Sequence, residues 1–213
     1  MEALCHNPSV ADTKLETRRP FVFAIFLIVA GVVGWIAAFA LTIDKFETLM
    51  NPSYSPSCDI SPLVQCGVNL SSAQGSVFGF PNPLIGLAAF TAPVFVGVAI
   101  LAGARFARWF WILFNVGVLG GIAFVIWLVS ESIFVLGTLC PYCMVVWSVM
   151  IPMFFYVTVF NLKEGHFGNS GASRSFFGRL YPFTWILVLL GYLTIVALAQ
   201  FRLDAITTIF LYS

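Results

Sequence analysis

The chain is 213 residues long, 60% hydrophobic and 9% charged, with a formal net charge of +1. Soluble domains average about 25% charged residues, so this composition, with a mean hydropathy of +0.98, excludes an ordinary soluble domain. The near-neutral balance gives no reason to expect a nucleic-acid partner.

Residues 1–19 form a polar amino-terminal tail. Five charge-free runs follow, at 21–43, 83–104, 109–130, 132–162 and 180–201, and a bilayer crossing needs roughly 20 apolar residues. The first run contains Ala38, Phe39 and Ala40, which mimic a signal-peptidase site. It is much longer than the ~7–15 residues of a signal core, so a retained anchor is expected. Asp44, Lys45 and Glu47 mark its outer end as interfacial charge with a snorkelling lysine. Residues 51–57 are rich in Pro and Ser and read as irregular loop. Ser71 or Ser72 is the expected N-cap of a short helix reaching towards Phe80, with Val77, Phe78 and Phe80 at the interface.

Asn82 and Pro83 turn the chain into the second span, and 103–108 is a tight connection between antiparallel neighbours. Asn115, in the middle of the third span, is expected to make an interhelical hydrogen bond. Glu131 would cap the outer end of that span. The fourth run is too long for one straight crossing; Gly137 and Pro141 divide it, placing the helix start at Cys140. Residues 163–179 are rich in Gly and Ser and read as a flexible linker. The expected organisation is a tail (1–19), a four-helix bundle (20–162) with an outer loop (44–82), a linker (163–180), and a fifth transmembrane helix with the carboxyl terminus (181–213). The expected fold class is an all-α membrane protein.

Eight of the ten basic residues fall on one side: Lys14, Arg18, Arg19, Arg105, Arg108, Lys163, Arg174 and Arg179. Only Lys45 and Arg202 fall on the other. The positive-inside rule then puts the amino terminus in the cytoplasm and the carboxyl terminus outside. Cys58, Cys66, Cys140 and Cys143 land on the outer face, where disulfides persist. Cys5 lands inside as a free thiol.

Cys140-Pro141-Tyr142-Cys143 opens the fourth helix. Pro141 suits the first helical position, where its missing N–H costs nothing, and it steers Cys140 towards an extended N-cap conformation. Cys143 follows within the first turn, so a disulfide between the two is sterically reasonable. The helix dipole favours thiolate at both. A zinc site fits poorly, because His6 and His166 are both inside and Cys58 and Cys66 are too far apart for the usual half-site. An inert structural bridge remains open for Cys58 and Cys66.

Cys58-Asp59, the seven residues between Cys58 and Cys66, Ser71-Ser72, Asn82 with Gly86 beyond it, and Cys140-x-x-Cys143 together resemble the vitamin K epoxide reductase family. The resemblance spans about residues 20–160. It is nearest to the bacterial branch, with a fifth helix and no fused thioredoxin-like domain. It implies a four-helix bundle around a quinone (menaquinone or ubiquinone) and a relay of two cysteine pairs. In that relay Cys58 would exchange with a periplasmic, DsbA-like thioredoxin-fold partner. Cys66 would pass electrons to Cys140, and Cys143 would reduce the quinone. Asn82 would hydrogen-bond a quinone oxygen; Asp59, Ser71 and Ser72 are supporting candidates. Trp147 stands where the family often has tyrosine, and indole can donate a hydrogen bond but not accept one. The implied activity is that of a bacterial inner-membrane thiol:quinone oxidoreductase supporting disulfide formation in exported proteins. The alternatives are a membrane scaffold or transporter subunit with structural disulfides, and a quinone-epoxide reductase.

Overall fold

The computed structural model describes residues 20–206; the 1–19 tail with Cys5 and His6, and the last seven residues of the chain, lie outside the described residues. Among the described residues, seven α-helices run in order: α1 (Phe21–Met50), α2 (Gly67–Ser71), α3 (Pro83–Leu101), α4 (Arg108–Ser130), α5 (Pro141–Glu164), α6 (Gly171–Leu180) and α7 (Thr184–Leu203). A short 3-10 turn (Ala73–Ser76) follows α2, and a π-helical turn (Glu131–Leu136) follows α4. Among the described residues, five helical segments are long and apolar enough to cross a membrane, and there is no β-strand.

The bundle is an open ring. α1 packs along α3 on one side and α5 on the other, and α4 packs along α5. The α1–α3 approach is close because glycines carry it: a Cβ on Gly97 would lie 2.6 Å from the Ala24 carbonyl oxygen. α3 and α4 scarcely meet, which leaves a lined gap between them. α7 lies outside the ring against α5. At the end of the bundle opposite the cysteines, Phe23 stacks on Phe160 at 4.3 Å between ring centroids. Asn161, fully buried there on α5, donates to Asn115 Oδ1 at 2.9 Å and to the Trp111 carbonyl at 3.2 Å. The expected interhelical role of Asn115 is therefore present, with Asn161 as its partner.

Of four local expectations, two need correction and two are met. α1 does not stop at the charges but continues to Met50 with Asp44 buried inside it. Asp44 falls on the buried stripe of Ala30, Ala37 and Leu41, so packing carries the helix past the polar boundary. Of the two expected N-cap residues, Ser72 starts the short 3-10 helix, its hydroxyl accepting from Gly75 N–H, while Ser71 ends α2, its hydroxyl donating to the Gly67 carbonyl. Glu131 is the C-cap residue of α4, its backbone N–H donating to Leu128 O and Trp127 O, and it also opens the π-turn, its side chain accepting from Gln74 Nε2 at 3.1 Å. Residues 171–180, expected within a flexible linker, form α6, capped by the Ser170 hydroxyl, which accepts from Ser173 N–H.

Candidate active site

The sulfurs are brought together by backbone before side chains add anything. Gly137 adopts a left-handed conformation (φ 66°) and turns the chain out of the π-turn towards Cys140. The segment before Cys140 then pairs with the outer loop: Leu139 N–H donates to Leu63 O at 2.7 Å, and Gln65 N–H donates to Leu139 O at 3.1 Å. This short parallel bridge, Val64 against Leu139, lies next to both Cys66 and Cys140. Asn69 reinforces it by donating to Thr138 Oγ1 at 2.9 Å and accepting from Ser132 Oγ. Lys45 ties α1 to the same cap, donating to Leu70 O at 2.6 Å.

Asp59 fixes Cys66. One carboxylate oxygen accepts from the N–H groups of Cys66 and Gly67, at 2.7 and 2.9 Å. Those N–H groups open α2, so the acid both caps the helix and orients the cysteine heading it. Cys58 and Cys66 form a disulfide, while Cys140 and Cys143 are free thiols. Cys140 Sγ lies 3.3 Å from Cys66 Sγ. Cys66 is fully shielded (0% exposed), whereas Cys58 keeps 5%.

Cys140 takes the extended N-cap conformation (φ −87°, ψ 120°) with Pro141 in the first helical turn, as the sequence predicts. Its sulfur accepts from Cys143 N–H at 3.4 Å. The Cys143 thiol donating to Cys140 holds the Cys140 thiol below its ordinary value, helped by the backbone N–H groups of Cys143 and Tyr142; burial and the nearby Asp44 charge act against this. The sulfur facing Cys66 is thus the better nucleophile of the buried face.

The gap between α3 and α4 encloses about 830 Å³. Cys140, Cys143, Asn82 and Trp147 line its polar end, and Phe114 and Met150 are among its apolar walls. A prenylated or alkylated quinone fits this donor set and volume, since ligand cavities of roughly 300–1,000 Å³ with few polar groups suit such molecules. Asn82 is more occupied than expected: Oδ1 accepts from Val77 N–H at 3.1 Å and Nδ2 donates to Gln74 O at 2.6 Å. It therefore locks the 3-10 turn over the cavity, and its second amide hydrogen remains for a ligand. Trp147 is buried one turn beyond Cys143. Ser72 lines the cavity, whereas Ser71 is exposed and hydrogen-bonds within α2. Donor atoms of Cys58, Asp59 and Cys66 lie within 4.8 Å of one another, but the two sulfurs are bonded together and offer no thiolate to a metal.

Sequence reasoning missed Asp44, Tyr54, Asn69, Ser132 and Thr138. Asp44 Oδ1 accepts from the Tyr54 hydroxyl at 2.9 Å, and Oδ2 lies 3.7 Å from Cys58 Sγ. Extending the buried stripe of α1 by one further turn would have found Asp44; the other four carry no periodic signal.

No curated protein matches the chain. The family model described as the vitamin K epoxide reductase family matches residues 25–158. That match covers most of the chain, including both cysteine pairs, their supporting loop and the cavity-lining helices: the protein belongs to the vitamin K epoxide reductase family of membrane oxidoreductases.

Proposed function

We propose that the protein is a thiol:quinone oxidoreductase that reoxidises a thioredoxin-fold, DsbA-like partner outside the cytoplasm of a bacterium. Its amino terminus lies in the cytoplasm and its four paired cysteines face the extracytoplasmic side of the inner membrane, consistent with the asymmetry of basic residues. The observation carrying this reading is the 3.3 Å contact between Cys66 of the outer disulfide and Cys140 of a dithiol that lines the cavity. Two inert structural bridges would have no use for such a contact.

The exchange steps follow from exposure and distance. A thiolate of the reduced partner attacks Cys58, the less shielded sulfur, and Cys66 leaves as thiolate. The partner's second thiol then displaces Cys58, and the partner departs oxidised. Cys66 attacks Cys140 of the oxidised inner pair, and Cys143 leaves as a thiolate at the cavity wall. Cys58 attacks Cys66, restoring the outer disulfide and releasing Cys140. This last step produces the arrangement described above, an outer disulfide beside an inner dithiol. A bound quinone supplies a two-electron, two-proton oxidant that returns Cys140 and Cys143 to the disulfide. The second hydrogen of Asn82 Nδ2 orients it, with the Trp147 indole as a further donor at the same end. A DsbA-type donor sits near about −120 mV, and about 30 mV corresponds to a factor of ten in the equilibrium, so the acceptor must be a respiratory-chain quinone and not a low-potential carrier.

The direct test is quinone reduction by the purified protein with dithiothreitol and a soluble quinone. One quinol per dithiol oxidised supports the proposal. Cysteines that stay oxidised in mild reductant without quinone turnover would instead place the protein among scaffolds.

A further inference from the structure

Asp44 is unusual among the charged groups of the described residues. It is 6% exposed, and among the described residues the ion pair is Lys163 with Glu164, so no cation neutralises Asp44. Its neighbour Lys45 points elsewhere, donating to Leu70 O. The two Asp44 oxygens have distinct partners: Oδ1 accepts from the Tyr54 hydroxyl at 2.9 Å, and Oδ2 lies 3.7 Å from Cys58 Sγ, within hydrogen-bond range for sulfur. Cys58 is the sulfur that becomes a thiolate twice in each relay cycle.

We propose that Asp44 is the proton donor and acceptor for Cys58, giving a proton to the sulfur when the partner leaves and removing it when Cys58 attacks Cys66. The proposal rests on the relay proposed above. The balance closes over one cycle: the Asp44 proton passes to the Cys58 thiolate as the partner disulfide forms, then returns to Asp44 as the Cys58–Cys66 bond forms and Cys140 leaves. No external acid is consumed.

Tyr54 completes the device. The hydrogen bond from its hydroxyl to Asp44, with burial and the nearby charges of Asp44, Glu47 and Tyr142, holds its phenol above the ordinary value, so it stays a donor to Oδ1 at neutral and alkaline pH. The groups facing Asp44 are therefore Tyr54 and Cys58, with Lys45 adjacent in the chain, Cys140 within range of its charge, and Glu47 and Tyr142 acting through Tyr54.

The test follows stopped-flow reduction of the oxidised protein by dithiothreitol, and steady-state reduction of a short-chain quinone, across pH. For Asp44→Asn the rate is expected to fall about 100-fold near pH 7, the usual size of a lost general acid–base, and to converge on wild type above the ordinary thiol pKa of about 8.5. Tyr54→Phe keeps the carboxyl but removes the donor to Oδ1, so its rate near pH 7 is expected to fall, by less than in Asp44→Asn. Asp44→Asn placed on a Cys58→Ala background should change nothing further, because the sulfur it serves is gone. Equal or faster rates in Asp44→Asn, a loss uniform across pH, or the same loss in the Cys58→Ala background would each overturn the proposal. Failure of wild type to reduce quinone at all is a separate result, and would count against the relay itself.

Discussion

Replacing Asn82 with alanine separates its two candidate roles. The side chain makes two bonds to the cap, accepting from Val77 N–H at 3.1 Å and donating to Gln74 O at 2.6 Å. Each is worth about 1 kcal/mol net, and leaving partly buried partners unmet adds about 1 kcal/mol, so the closed cap should lose roughly 2–3 kcal/mol. Water reaches the exposed Val77 side of the turn, which keeps the figure at this end of the range. The backbone bond from Asn82 N–H to Gly75 O at 2.9 Å survives the substitution, so the turn loosens without detaching. With 1.4 kcal/mol per factor of ten, amide hydrogen exchange at residues 74–77 should accelerate about 30- to 150-fold without any quinone present. Asn82→Asp, which keeps the acceptor for Val77 but loses the donor to Gln74, should fall between alanine and wild type. Exchange unchanged in quinone-free Asn82→Ala, with only the quinone KM raised, would refute the locking role and leave Asn82 a ligand contact alone.

Two other perturbations probe different parts of the account. Gly117 lines the cavity, and a Cβ there would meet nothing within 4 Å. It lies thirteen residues before Ser130, about 20 Å along α4 and beside the expected quinone tail. Gly117→Leu should raise the KM for a long-chain quinone about 5- to 150-fold through about 1–3 kcal/mol of overpacking, while leaving a truncated quinone, the dithiol KM and the helix unharmed; kinetics with both quinone lengths check this. Burial holds the His166 imidazole below its ordinary value, with Arg108 and Arg174 adding to the effect and Glu164 opposing it. The unfolded chain therefore takes the proton first, so stability present at neutral pH declines as pH falls below about 6.5. Unfolding midpoints of wild type and His166→Gln at pH 7 and pH 5.5 should converge at the lower value if this sign is right.

The spans were legible because a bilayer crossing needs length without charge, and that pattern is local. Their ends were less so: Asp44 looks like an interfacial residue until its place on the buried stripe of α1 is seen. Residues 171–180 looked flexible because glycine and serine dominate by composition, yet Ser170 supplies the cap that starts α6. The Cys140 N-cap was legible since Pro141 restricts the residue before it. The meeting of Cys66 with Cys140, 74 residues apart, was not readable from spacing and was implied only by resemblance. It depends on the backbone bridge at Val64 and Leu139 and on Asn69 reaching Thr138, contacts between residues with no distinguishing pattern of their own. Asn82 was singled out as a ligand, but its hold on the cap could not be seen before the 3-10 turn was placed.

Trapping the cysteine relay midway tests the central claim most directly. In Cys143→Ala the inner pair cannot close, so Cys140 should attack Cys66 across the 3.3 Å contact and accumulate a Cys66–Cys140 bond with Cys58 left as a free thiol. Peptide mapping by mass spectrometry under non-reducing conditions should recover that cross-link, with quinone reduction abolished. A Cys143→Ala protein that keeps only the Cys58–Cys66 disulfide under mild redox buffering, or that still reduces quinone at the wild-type rate, would contradict the account.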